Sequence, residues 1–345
     1  MSIFTGKMSK KTRALYDFMW GEKEWLKDLI EPTAQSEGSD TTYQFKGKDE
    51  EKERILGEIF GLDKGMLKLH FDSVCGGDGN EDEKINILHS SSLCGMLFFY
   101  NVSGGNKFNL QINGETIVFD TVTFEFKNSV IRNPSNMDIV LLSEDKKHVL
   151  FLESKFSEYY MSAGKKSSKI SNAYMKNDYS KELYAENVLT ALGISEGKPK
   201  TEADKKFIMV SNEEVYLDGI KQMISHYIGV CRRISGEKNN VDKHNDKTNA
   251  DKIIESIKNG AKVYLGEILF DFENTNSDDN ETKMHFKAVA DVYREKYEKL
   301  AAKMNELIKN KEFKNEFEVL PKNLKYSDVK KWHNVDAKVL EYYNL

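Results

Sequence analysis

Cysteine is scarce in this 345-residue chain: Cys75, Cys94 and Cys231 lie far apart and form no CxxC pair. Neither a disulfide framework nor a cysteine zinc site is expected from that spacing, and the compartment expected is reducing cytosol, a cytoplasmic location. Long apolar runs are also missing. The longest stretch without Asp, Glu, Lys or Arg, Ile85 to Asn106, is interrupted by His89, three consecutive serines and Gly104-Gly105, which leaves only Leu93 to Tyr100 strongly apolar. That is too short to span a bilayer, so no membrane partner is expected. The N-terminal residues carry lysine and arginine where a signal peptide needs an apolar core, so secretion is not expected. Nor is there an excess of positive charge, since 51 Lys and Arg face 56 Asp and Glu for a net charge of -5. No global field advertises nucleic acid. Contact with phosphate would need local clusters such as Lys7-Lys10-Lys11-Arg13, Lys165-Lys166-Lys169 or Arg232-Arg233.

What the chain does have is apolar material, 39% of its residues, enough for one large domain or a domain with an extension. Helical spacing of Leu15, Phe18, Met19, Trp25, Leu26 and Leu29, and again of Ile55, Ile59 and Phe60, reads as an N-terminal helical extension over 1–84, closed by the break CGGDGNEDE. A core over 85–280 follows. It opens with a serine-capped buried helix, Ser90 to Asn101, and continues as a three-strand meander: Glu115 to Lys127, Met137 to Leu142 and Val149 to Phe156. Residues 157–205 show little periodicity and read as an insertion of short helices and loops. Glu213 to Arg233 is a clear amphipathic helix, Ser235 to Lys252 a polar and mobile connection, and Ala261 to Phe272 one more strand. A C-terminal helical segment, 281–345, is expected to pack on the core, beginning with a long charged helix from Glu281 to Lys311.

The informative segment is Pro134 to Phe156, PSNMDIVLLSEDKKHVLFLESKF. If the hairpin is centred between Asp145 and Lys146, positions summing to 291 lie opposite one another, which sets Asp138 directly against Glu153. Lys155, two residues on, shares their sheet face. Both faces of the second strand are apolar, as in a central strand covered on each side. Two carboxylates with Cβ atoms roughly 5 Å apart raise one another's pKa unless a cation relieves them. A hard divalent ion such as Mg²⁺, which takes one or two carboxylates plus water and phosphate oxygens, answers that need. The lysine can then stabilise developing negative charge or help deprotonate a water. An ExK triplet alone means little, since Glu50 to Lys52 and Glu144 to Lys146 also match.

Asp138 opening one strand, Glu153-Ser154-Lys155 closing the next, a helix before the meander and a helix then a strand after it resemble the PD-(D/E)XK nuclease superfamily. Ser91-Ser92 before an apolar helix ending in Asn101, then Phe124-Glu125, Pro134-Ser135-Asn136 and Lys155-Phe156, look like bacterial restriction-endonuclease-like proteins of that superfamily. The chain departs from the signature in having Met137 before Asp138, with Pro134 four positions upstream. The resemblance implies an α/β fold with a restriction-endonuclease-like core, α-β-β-β-α-β, in which a central mixed sheet is flanked by helices. It implies a nuclease that hydrolyses phosphodiesters in DNA with Mg²⁺ or Mn²⁺. Asp138 and Glu153 would bind the metal, the Ser154 carbonyl would be a further ligand, and Lys155 would be the catalytic lysine. Gln222 matches a glutamine often found on the following helix, though it reads equally well as an exposed helix residue. Glu125 is a candidate third carboxylate, with Glu81 or Glu83 as weaker substitutes for an acidic ligand from the first helix. His226, one turn after Gln222, reads as an ordinary helix histidine. A homodimer would suit double-strand cleavage. The alternative is a catalytically silent nucleic-acid-binding or protein-interaction module on the same fold.

Overall fold

Ser9 caps the first helix, its hydroxyl accepting the Thr12 N–H at 3.2 Å, and α1 runs over Lys10–Trp20. The computed structural model describes residues 3–33, 41–47, 49–61, 87–130, 134–163, 167–171, 192, 207–211, 217–236, 241, 242, 245 and 248–345. Cys75, Glu81, Glu83, Lys165, Lys166 and much of 157–205 lie outside them. The N-terminal stretch is not helical throughout: β1 (Ile30–Pro32) and β2 (Tyr43–Phe45) pair antiparallel before α2 (Asp49–Phe60). Pro32 has no N–H to give a helix, and Tyr43 and Phe45 bury one face of an extended ribbon. Next, Ser90 caps α3 (Ser91–Phe99), in which every residue from Leu93 to Phe99 is buried. A helix apolar on all sides must be covered on all sides.

The meander has four strands rather than three. β3 (Phe108–Ile112) joins β4 (Glu115–Asn128) through Asn113-Gly114, with φ of 54° and 84°, the two-residue turn this dipeptide favours. β5 (Ser135–Ser143) and β6 (His148–Lys155) then pair antiparallel, Val140 opposite Phe151 and Leu141 opposite Leu150, in the register the hairpin requires. Asp145 fixes the loop by accepting the Ser143 hydroxyl at 2.7 Å and the Lys147 N–H at 3.0 Å. After β6 come α4 (Glu158–Met161) and a ribbon of β7 (Ser167–Ser171) with β8 (Phe207–Ser211), then α5 (Leu217–Ile234).

The polar stretch after α5 ends in a helix, α6 (Asn249–Lys258), because Ala250, Ile253, Ile254 and Ile257 give it one buried side and Asn249 donates to the Val122 carbonyl at 2.9 Å. β9 (Lys262–Leu269) pairs in parallel with β6, from His148 beside Lys262 to Lys155 beside Leu269. The long helix is α7 (Asn280–Lys309). The C-terminal segment is not only helical. β10 (Phe317–Val319) and β11 (Leu324–Lys325) both add in parallel to β9, before α8 (Tyr326–Trp332) and α9 (Ala337–Tyr342). The chain is therefore a mixed α/β protein around a seven-stranded mixed sheet, ordered β10-β9-β6-β5-β4-β3 with β11 beside β9.

Helices cover both faces of β6. Gly95 of α3 packs on Ile139 and Ser154, whereas α5 lies on the opposite face, where His226 reaches Glu153. Residues from the two ends of the chain meet the core in one aromatic cluster: Trp20 lies 6.0 Å from Phe156 and 5.7 Å from Tyr342 between ring centroids, and Phe156 lies 5.5 Å from Tyr343. Cys94 and Cys231 are buried thiols.

One of the basic clusters, and part of a second in which Lys7 and Lys10 stay exposed, is engaged inside the protein. Arg232 and Arg233 are buried, not a surface patch: Arg232 donates to the Val130 carbonyl, and Arg233 to the Lys127 carbonyl at 2.9 Å and to Asp242 at 2.8 Å. They clamp α5 to the end of β4. Lys11 donates to the Ala163 carbonyl at 2.6 Å, and Arg13 to the carbonyls of Phe4 and Gly6.

Gly229 sets how closely α5 approaches the sheet. A Cβ there would stand 2.9 Å from Asn128 Cβ, a side-chain stem that cannot swing away. Gly to Ala in a helix interior is ordinarily stabilising, but overpacking costs about 1 to 3 kcal/mol and decides the sign. Gly229→Ala should therefore lower the melting temperature; an unchanged or higher melt would show that the contact yields.

Candidate functional site

The β5–β6 register carried one residue past Ile139 and Leu152 places Asp138 opposite Glu153. Phe124 pairs with Ile139 and Phe126 with Met137, so Glu125 stands opposite Asp138 on the other side. In the parallel pair Glu153 is the partner of Glu267. Four carboxylates from β4, β5, β6 and β9 thus occupy one row across the sheet. Among the described non-glycine residues with positive φ, Glu125 alone lies within a strand, at 50°. Such a backbone conformation costs on the order of 1 to 3 kcal/mol and persists where its surroundings enforce it, often beside functional sites.

Lys155 lies within this acidic row. Its Nζ donates to Glu153 Oε1 at 2.6 Å and to Gln222 Oε1 at 2.6 Å. His226 Nε2 meets the other Glu153 oxygen at 2.7 Å, and its Nδ1 hydrogen-bonds the Ser135 hydroxyl. Asp138 Oδ2 accepts the Ser154 N–H at 2.7 Å, so the ladder between β5 and β6 gives way to a side-chain bond at this row. On the far face Ser154 Oγ donates to the Ser91 carbonyl at 2.8 Å and lies 2.7 Å from Tyr326 Oη, which ties the end of β6 to α3 and α8. Glu153, Ser154 and Lys155 are buried, while Asp138 is half-buried.

The charges are far from balanced by solvent. Burial, then the negative charges of Glu153 and Glu125, push the Asp138 carboxyl well above the ordinary carboxylate range, against the opposing pull of Lys155 and the Ser154 N–H. For Glu153 burial acts upward too, but Lys155 and His226 together outweigh it and hold the group at about 2. Burial alone would lower Lys155; Glu153, Glu158, Asp138 and Glu267 overcome that and raise it. Among these carboxylates Lys155 is favoured as an ammonium, the form that suits stabilising developing negative charge. Glu267, buried beneath Tyr293 Oη at 2.7 Å and Asn323 Nδ2 at 2.6 Å, is pushed up to about 8, chiefly by burial.

The structure brings together Asp138, Glu153, Lys155 and Gln222, with Glu125 in the same row. Gln222 is exposed, yet its carbonyl holds Lys155. Sequence reasoning reads His226 as a satisfied helix histidine, which its two bonds bear out, but does not place it beside Glu153, and it misses Glu267 and Ser135. His226 is four residues after Gln222, so any helix that aims one at Lys155 aims the other one turn along β6, and that spacing is the signal. Glu267 interrupts the apolar run AKVYLGEILFDF, where a buried acid is itself informative. Ser135 gives no signal of its own. Ser135, His226 and Glu153 have the connectivity of a nucleophilic triad, but Ser135 is buried, and a nucleophile must reach its substrate.

Among the described residues no group of three or more His, Cys, Asp or Glu side chains forms a metal cage. A Mg²⁺ ion asks for less. One or two carboxylates suffice when water and phosphate oxygens complete its shell, and each hydrogen-bonded carboxylate oxygen here keeps a further lone pair. The oxygen donors of Asp138 and Glu153, with an unrelieved charge that raises Asp138, fit such an ion. Also among the described residues, no helix is long and apolar enough to cross a membrane. Comparison of the chain with protein-family models, with curated proteins and with solved structures finds no match.

Proposed function

We propose that this row is the active site of a divalent-metal-dependent nuclease of the PD-(D/E)XK kind, hydrolysing phosphodiester bonds in DNA. The observation that supports it most is a buried lysine bonded to Glu153 within a row of carboxylates, beside an Asp138 whose ionised form is disfavoured by burial and by its acidic neighbours. Asp138 and Glu153, with the Ser154 carbonyl, would hold Mg²⁺ or Mn²⁺, and Glu125 is a further carboxylate in the same row. Such an ion supplies positive charge and acidifies water. The chain's own groups do the rest. Lys155 neutralises charge growing on the phosphoryl oxygens as water attacks in line, Gln222 fixes the lysine's position, and the Ser154 N–H orients Asp138. A second copy of the chain would provide the second site that double-strand cleavage needs.

A silent binding module on the same fold is favoured by one observation, that Arg232 and Arg233 are used internally while the net charge is -5. Incubating supercoiled plasmid with protein and Mn²⁺ separates the two readings. Nicking should appear, vanish with EDTA, and fall roughly 100-fold or more in Asp138→Asn. Intact plasmid at high protein concentration, or cleavage that survives EDTA, rejects the metal nuclease.

A further inference from the structure

Two side chains of α5 meet two side chains of β6 in matching order: Gln222 takes Lys155, and His226 takes Glu153. Four helical residues climb about 6 Å and two strand residues about 6.6 Å, so helix and strand present their pairs at nearly the same spacing. The contact at Gly229 keeps α5 close enough for both bonds to form. A carboxylate can only accept, so His226 Nε2 is the donor in its 2.7 Å bond to Glu153. On the other side of the ring Nδ1 meets the Ser135 hydroxyl, so the imidazole is held at both nitrogens and its plane is set.

The terminal torsion of a glutamate is broad and roughly two-fold. With Lys155 alone on Oε1, the Glu153 carboxylate would swing about that contact. A second donor on Oε2 fixes its plane, and with it the direction of the lone pairs that remain. His226 and Ser135 are both buried, so water does not compete for these bonds.

We infer that His226, set by Ser135, is a positioning residue that holds the Glu153 carboxylate in the orientation needed to ligate a divalent cation. The inference rests on the metal-dependent reading above. Removing a partner one shell out from a metal typically costs roughly 10- to 100-fold in affinity.

The test is calorimetric titration of the full chain with Mn²⁺, beside thermal melts, for wild type, His226→Ala, His226→Gln and His226→Asn. His226→Ala should bind Mn²⁺ roughly 10- to 100-fold more weakly. Glutamine, whose amide can still donate to Glu153, should restore affinity to within a few-fold. Asparagine is too short to reach and should behave as alanine does, which keeps the question open to decision if the alanine variant does not fold. A merely structural histidine would lower the melting temperature in all three variants and leave Mn²⁺ affinity alone; that result overturns the inference. Equal affinity in the glutamine and asparagine variants overturns it as well. A wild-type protein that takes up no Mn²⁺ removes the metal reading and this inference together, whereas normal wild-type binding with unchanged variants removes the inference only.

Discussion

Lys155→Ala should lose about 3 to 5 kcal/mol of stability, because breaking a buried ion pair leaves the other charge without compensation. Glu153 would retain His226 but lose the ammonium on its other oxygen. Cleavage should fall roughly 100- to 1,000-fold when measured at a temperature where the variant is folded, the size expected for a charge that acts on the transition state. The two losses can be separated. Adding Glu153→Gln to Lys155→Ala removes the orphaned charge and should recover part of the stability without recovering cleavage, since neighbouring substitutions of this kind are not additive. A single variant that melts as wild type does and cuts DNA at a similar rate would falsify the assignment of Lys155 as the central cation.

Glu267→Gln should change how stability depends on pH. The folded-state pKa of Glu267 is about 8 and its unfolded value lies in the ordinary carboxylate range, so the folded protein binds this proton more tightly. Its stabilising contribution is complete below that ordinary range and is lost as pH rises to about 8. Glutamine cannot titrate. The stability of Glu267→Gln relative to wild type should therefore improve by roughly 3 to 5 kcal/mol between pH 4 and pH 9, read from urea unfolding at a series of pH values. Parallel profiles for the two proteins would mean that Glu267 is ionised throughout, held so by Tyr293, Asn323 and Lys155.

The register of Asp138 against Glu153 is legible in the sequence because both strands are apolar on both faces and the loop between them is short. One slipped residue would turn every side chain over. The strand at Phe108–Ile112 is less legible: its apolar residues alternate with Asn109 and Gln111, and the signal that marks it is the Asn113-Gly114 turn. Phe317–Val319 and Leu324–Lys325 are too short to show a period at all, and they become strands by docking on β9. In the site, the residues contributed by one hairpin can be read from local pattern. Those that arrive from elsewhere cannot, because whether a helix histidine faces solvent or Glu153 depends on which side of the sheet the helix covers. The arginines at 232 and 233 show the converse, since a pair that looks like a phosphate-binding patch is consumed by the carbonyl ends of β4.

The seven-stranded sheet joins two kinds of pairing with different consequences for how quickly it assembles. β3 to β6 is a meander in which each strand closes on its predecessor over a short loop, whereas His148 finds Lys262 more than a hundred residues later. Loop-closure entropy rises with that separation, and non-local pairing slows folding. The hairpin that faces Asp138 toward Glu153 belongs to the early class. Gln222, His226 and Glu267 belong to the late one, so loop-closure entropy alone predicts that Asp138 and Glu153 face each other, with Lys155 beside them, before the helix that orders them docks.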